Sequence, residues 1–163
     1  MRALLLLSLL PLTYGCSDEC KAPTDLRGGV MEATIDGQAW STLVASWSET
    51  GSSLNINVDR TDGYTISMVL QTIMDGRNVL DLLDQDELPF DVTLGDGEDG
   101  GWAVVYVEGE SGSYSTTEGV GGSITIAERE GDQLLGCLYF GAGSNAGETV
   151  DLADGLFRVA PRD

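Results

Sequence analysis

Between Val30 and Val159, apolar residues recur at every second position in short runs separated by glycine-containing turns. Met31, Ala33 and Ile35 alternate with Glu32, Thr34 and Asp36. Leu54, Ile56 and Val58 alternate with Asn55, Asn57 and Asp59, and Tyr64, Ile66, Met68 and Leu70 alternate back. A period of two puts one set of side chains on each face of an extended chain, so each run reads as a half-buried strand. Asp36-Gly37 and Asp62-Gly63 supply the chemistry of tight hairpin turns, because glycine reaches positive φ without steric cost. The first hairpin returns through Trp40 and is expected to continue by way of Leu43 and Ala45 toward Trp47.

The later chain repeats the pattern. Phe90, Val92 and Leu94 alternate, and Trp102 to Val107 is an apolar run suited to a strand buried on both faces. Residues 95–101 form an acidic glycine loop, and residues 108–122, rich in Gly, Ser and Thr, hold one short edge strand around Tyr114. Ile124 and Ile126 alternate, Gly131-Asp132 breaks the chain, and Leu134, Leu138 and Phe140 share a face with Gly136, with Cys137 and Tyr139 on the other. Val150 and Leu152 follow, and Asp154-Gly155 reads as a turn before Phe157 and Val159. Residues 78–87 mix Val79, Leu80, Leu82 and Leu83 with aspartates and read as a short helix or loop, ended before Pro89. Eight to ten short strands with no long helix predict an all-β fold over residues 30–163, a single antiparallel β-sandwich or flattened barrel.

The chain opens on Met1 and Arg2, an apolar run from Ala3 to Leu12 broken only by Ser8 and Pro11, and small residues before Cys16. A positive start, a short apolar stretch and a small-residue exit make residues 1–15 an export signal. The run is too short for a bilayer, which takes roughly 20 apolar residues. Leu12-Thr13-Tyr14-Gly15-Cys16 resembles the lipobox of bacterial lipoproteins, with Thr13 standing where that pattern prefers leucine. The resemblance implies that Cys16 is acylated and becomes the first mature residue, which holds the protein on the bacterial cell envelope. Ser17 resembles the outer-membrane class. At about 0.8 kcal/mol per buried CH₂, two or three acyl chains hold a protein without help from any membrane-binding surface. Residues 16–29, polar and aperiodic with Pro23 and paired glycines, read as a lipidated tether.

Three cysteines are an odd number for an exported chain. Acylation of Cys16 leaves Cys20 and Cys137 as an even pair in an oxidising compartment, and these are expected to form a disulfide. The rival is a Cys16 to Cys20 bridge in an unlipidated protein. The formal charge is −19, and loss of Arg2 with the leader makes it one unit more negative. That balance argues against nucleic acid, whose binding neutralises phosphates with Lys and Arg. It favours a soluble, monomeric domain.

Glu32-Ala33-Thr34-Ile35-Asp36-Gly37-Gln38-Ala39-Trp40 resembles the opening of a group of uncharacterised small bacterial lipoproteins with β-rich domains. The closing pattern does too, from Gly122-Ser123-Ile124-Thr125-Ile126 through Leu135-Gly136-Cys137-Leu138-Tyr139-Phe140 to Asp154-Gly155-Leu156-Phe157-Arg158-Val159. The shared features are structural ones: a turn glycine, a core tryptophan and alternating aromatics. They imply the fold and the anchor and carry no catalytic residues.

Chemistry is narrowed by what the sequence lacks. Without histidine there is no Ser-His-Asp or Cys-His constellation and no His-ligated zinc or copper. The glycine-rich segments are acidic, and none leads from a strand into a lysine-bearing helix, so phosphate-binding loops fail as well. No cofactor and no enzymatic activity are expected. Calcium is the metal that suits hard oxygen ligands on loops, and Asp84 and Asp86 in one acidic cluster and Asp96 and Asp99 in another are its candidates. EF-hand spacing is missing, because Asp84-Gln85-Asp86-Glu87-Leu88-Pro89 lacks glycine at the sixth place. Aromatic residues offer a carbohydrate platform: Trp40 and Trp102 fit core positions, which leaves Trp47, between Ser46 and Ser48, as the candidate ligand-binding residue. Two readings follow: a non-enzymatic envelope lipoprotein with a structural or protein-interaction role, and a lipoprotein that binds calcium or glycan.

Overall fold

A computed structural model describes residues 20, 21, 23–61, 63–95 and 100–162. The export signal, Cys16, Asp96 and Asp99 lie outside the described residues. In chain order the elements are β1 (Val30–Ile35), β2 (Gln38–Thr42), β3 (Ala45–Thr50), β4 (Ser53–Thr61), β5 (Tyr64–Leu70), α1 (Val79–Asp84), β6 (Phe90–Leu94), β7 (Gly101–Val107), β8 (Tyr114–Ser115), β9 (Gly121–Glu130), β10 (Gln133–Gly143) and β11 (Thr149–Pro161).

The fold is all-β, as the alternation predicts, but it is not an antiparallel sandwich. A closed barrel of eight strands runs in the order β11-β3-β4-β5-β7-β6-β9-β10 and back to β11. Two of its seams are parallel. Ala160 and Pro161 of β11 lie opposite Ser46 and Trp47 of β3, and Leu94 of β6 lies opposite Gly101 of β7. Both seams are short and are extended by single backbone bonds, Arg162 N–H to the Trp47 carbonyl at 2.8 Å and Gly95 N–H to the Gly101 carbonyl at 2.9 Å. The β1–β2 hairpin hangs from the edge of β11 that β10 leaves open, and the two residues of β8 bridge β7 and β10. Sandwich layers and opposite barrel walls both bury one face of each strand, so period two does not tell them apart.

Local expectations fare differently. The Asp36-Gly37 turn has positive φ at both residues, 48° and 77°, as a two-residue hairpin loop requires. The β4–β5 hairpin has the expected register, with Leu54, Ile56 and Val58 opposite Leu70, Met68 and Ile66. The return from Trp40 does not run on to Trp47: the chain breaks at Leu43 and Val44, both exposed, where Val44 N–H donates to Thr42 Oγ1. Asp154-Gly155 is not a turn either. β11 passes straight through it, and the positive φ of Asp154, 52°, sits where the pairing with β10 slips between Leu138 and Phe140, a β-bulge. Within the segment 78–87, Val79–Asp84 form a helix, capped by Asn78, whose Oδ1 accepts from Leu80 N–H at 2.9 Å, and a turn follows it.

The barrel interior is solid. Leu54, Ile56, Ile66, Met68, Ile124 and Phe157 are fully buried among more than two dozen other apolar side chains. Val79, Leu82 and Leu83 of α1 plug the end near the β3–β4 turn, to which the Asn78 Nδ2 bond to the Ser52 carbonyl ties the helix. At the other end Trp40 of the β1–β2 hairpin meets Tyr64 edge-on, with ring centroids 6.3 Å apart. Gly136 makes room for the core aromatic of β11. A Cβ at that position would lie 2.5 Å from Cζ of Phe157 and 1.9 Å from the Thr125 carbonyl oxygen.

The segment preceding β1 is more than a tether. From Cys20 onward it is a strap on the outside of the barrel. Cys20 is joined to Cys137 in mid-β10, with Cα atoms 5.9 Å apart across 117 residues of sequence. Pro23 is buried, Arg158 Nη1 donates to the Thr24 carbonyl at 3.4 Å, and Gly29 N–H donates to the Arg158 carbonyl at 2.8 Å. Arg158 is itself fixed by Gln133 and Glu130, each at 2.6 Å. Leu135 faces away from the core, between inward Leu134 and Gly136, yet is fully buried on the side where the strap runs.

Gly136→Ala is expected to destabilise the fold by about 2 kcal/mol through overpacking, read as a lower denaturation midpoint. Gly95→Ala, at a glycine with open space around it, serves as the neutral control. Replacing Cys20 and Cys137 together by serine is expected to cost up to about 5 kcal/mol, the chain-entropy value for a loop this long, with an unchanged far-ultraviolet spectrum at low temperature.

Candidate functional site

The acidic candidates do not converge. Asp84 and Asp86 are exposed at the C-terminal end of α1 and the turn beyond it. Their neighbour Glu87 is drawn off by Arg77, which also binds Asp75 through Nε at 2.9 Å. The backbone N–H of Arg77, and after it the guanidinium, holds the Asp75 carboxyl below the ordinary carboxylate range. Among the described residues, no three Asp, Glu or Cys side chains come together as a metal site.

The tryptophans exchange their expected roles. Trp47, the candidate for stacking on a ligand, is 9% exposed, and its indole Nε1–H donates to the Asp132 carbonyl at 2.9 Å. Its ring belongs to the core and offers no face to a sugar. Trp40 is in the core as expected. Trp102 is not: β7 alternates strictly, with Ala103 and Val105 inside and Trp102, Val104 and Tyr106 outside. The apolar run forms the expected strand, but its outward side chains are half-buried or exposed and not buried on both faces. The signal that identifies this face lies in the partner strands, whose outward residues include Asn55, Asn57, Thr65 and Ser67.

Register assembles these residues into one surface. Trp102 lies opposite Val69, and Val104 opposite Ser67, which in turn faces Asn57 of β4. Ser67 Oγ donates to Asn57 Oδ1 at 2.8 Å. Trp102 and Tyr106, four residues apart on one strand, are separated by roughly 14 Å at 3.4 Å per residue. Tyr106 is 51% exposed. The result is an aromatic and aliphatic stripe bordered on the β4 side by Asn55 and Asn57 and, further along, by Asp59 paired with Arg162, on two strands, β5 and β7, that carry no charged residue. Such a stripe suits an extended, uncharged partner that stacks on rings and exchanges hydrogen bonds with amides.

Two recesses also open on the surface. One of about 620 Å³ lies against the β1–β2 hairpin, lined by Glu32, Gln38, Trp40 and Asp154 among others. The second, about 650 Å³, lies between the loop after β7 and the loop after β10, lined by Glu110, Tyr114, Ser144, Asn145 and Glu148. Here the Tyr114 hydroxyl donates to Glu110 Oε2 at 2.5 Å, with Glu148 Oε2 at 3.4 Å. The Glu110 bond above all pushes the phenol up to about 12, since ionisation would set a phenolate against carboxylates. Tyr114 is buried at the ring, so its part is to bind the two loops together through β8.

Because the folded phenol ionises later than a free one near pH 10, its contribution to stability is complete below pH 10 and is lost as pH rises toward 12. Spectrophotometric titration is expected to show one tyrosine ionising late, and Tyr114→Phe to abolish that late step.

The chain matches no protein-family model, no curated protein and no solved structure.

Proposed function

We propose that this protein is a lipid-anchored, non-catalytic component of the bacterial cell envelope whose barrel presents the outer face of β4, β5 and β7 to a partner. The observation that carries the reading is the Cys20–Cys137 disulfide. It is the pairing expected if Cys16 is taken up by lipid, and it belongs to an oxidising compartment. The core is filled by side chains, so the surface is where recognition takes place. The β5–β7 stripe supports a protein-interaction role.

A second reading, glycan binding, is favoured by one feature of the same face: neutral amides and hydroxyls beside an exposed tyrosine and a half-buried tryptophan, in a chain of net charge −19. Both readings use one surface and one anchor.

Cys16→Ser is expected to move the protein from the detergent-extracted membrane fraction to the soluble fraction and to remove the acyl mass. Recovery of unacylated wild-type protein would count against the anchor. Trp102→Ala with Tyr106→Ala is expected to weaken partner binding about tenfold or more while leaving stability nearly unchanged. Co-sedimentation with isolated envelope polysaccharide, lost in the double variant, identifies a glycan partner. No co-sedimentation, together with a discrete cross-linked protein adduct from position 104, identifies a protein.

A further inference from the structure

We propose that the disulfide strap fixes how the barrel stands on the membrane: the outer face of β10, with Tyr139 and Val120, lies against the lipid surface, and the β5–β7 stripe points away from it. The inference rests on the lipid anchor proposed above.

Chain length gives the first argument. Only residues 17–19 separate Cys16 from Cys20, so the anchored residue lies within about 14 Å of Cys20 even at full extension. Cys20 is bonded to the outer side of β10. Without that bond only non-covalent contacts at Pro23 and Thr24 hold the strap, and once these open the barrel hangs from residue 29 on about 45 Å of chain. With it, the wall that carries Cys137 is the wall nearest the lipid.

The chemistry of that wall gives the second. Cys137, Tyr139 and Gly141 follow one another along the outer row of β10, about 7 Å apart. Tyr139 is 48% exposed and Val120 is 91% exposed, and Val120 shares the space over Gly141 with Asp151: the Val120 Cβ is 3.3 Å, and the Asp151 Oδ1 3.0 Å, from where a Gly141 Cβ would be. Like β5 and β7, β10 carries no charged residue, and Ser123 and Thr125 of β9 lie beside Tyr139 and Cys137. Tyrosine beside small apolar residues suits the interface between headgroups and acyl chains. Asp151 lies on the adjacent β11 directly opposite Gly141, Asp154 lies in the β11 bulge that faces Tyr139, and Asp91 lies on β6 beyond β9. They disfavour an anionic leaflet, so the surface that fits is a zwitterionic one. In the closed order β5 is four strands from β10 in either direction, with β4 and β7 beside it. The partner face is therefore on the far wall.

The test uses the lipidated full chain in phosphatidylcholine vesicles carrying brominated acyl chains, which quench indole fluorescence on contact. Over the wild-type background of three tryptophans, Tyr139→Trp is expected to add fluorescence that the vesicles quench. Tyr106→Trp is expected to add fluorescence that they do not. Cys20→Ser together with Cys137→Ser is expected to erase the difference. Hydrogen exchange on the unsubstituted protein reads the same contact: segments holding Val120 and Tyr139 slow on vesicles relative to soluble Cys16→Ser protein. Equal quenching at 139 and 106 in acylated, vesicle-bound protein, with no slowing at Tyr139, overturns the orientation and leaves the anchor intact. Protein that lacks acyl mass and fails to bind vesicles overturns both.

Discussion

Barrel closure depends on β11. This one strand pairs with β10 along most of its length, with β1 over residues 152–158, and with β3 at its last two paired positions. The same side is tied by the Ala45 N–H bond to the Gly29 carbonyl at 2.8 Å and by the Trp47 indole bond to the Asp132 carbonyl at 2.9 Å. The bulge at Asp154 is what lets β11 serve three partners. An extra residue increases local twist and bends the strand. Its two ends can then belong to differently directed neighbours, and buried backbone groups stay paired. The outer edge of the β1–β2 hairpin, β2, is five residues long, a length that limits strand addition by another chain.

What was legible in the sequence follows the same division between local and long-range order. The β4–β5 hairpin, the Asp36-Gly37 turn and the inward row of Leu134, Gly136, Leu138 and Phe140 are fixed by period two and by turn residues next to them, and each was readable. The seams β11–β3 and β6–β7 join residues by one or two pairs each, with no periodic signal, and neither was readable. Asp154-Gly155 shows the limit of turn chemistry: the same dipeptide makes a hairpin in one setting and a bulge in another, and only the partner strand decides. Cys20–Cys137 was reached by counting thiols, which needs no geometry at all. Trp47 and Trp102 were misplaced for one reason. Flanking serines suggest exposure and an apolar run suggests burial, whereas in a barrel wall the parity of the position decides, and Trp47 falls on the inward parity.

Charge follows the walls closely enough to restrict function. The chain holds 27 acidic residues, yet none falls within β5, β7 or β10. Each of the other five barrel strands carries at least one charged residue. Elsewhere the acids gather at α1, at the loops after β7 and β10, and around the β1–β2 turn. Barrel geometry alone asks for no such segregation, since any outward position of a strand tolerates a carboxylate. The neutral strands fall on opposite sides of the ring, where two different neighbours can meet the same molecule.

Covering and exposure also change places along β10 itself. Leu135 is an outward leucine sealed on the strap side, Cys137 is where the strap is bonded, and Tyr139 is open, while Gly141 beyond it is covered again by Val120 and Asp151. The strap therefore hides the apolar side chain nearest the fixed end of β10 and stops where exposure begins. A disulfide placed only to shorten the unfolded chain would serve equally well at many positions on the barrel. Placed between Leu135 and Tyr139, it also sets which part of the outer surface the preceding chain can cover and which part it must leave to a neighbour. The entropic gain of the long loop and the orientation of the barrel are thus two consequences of one bond.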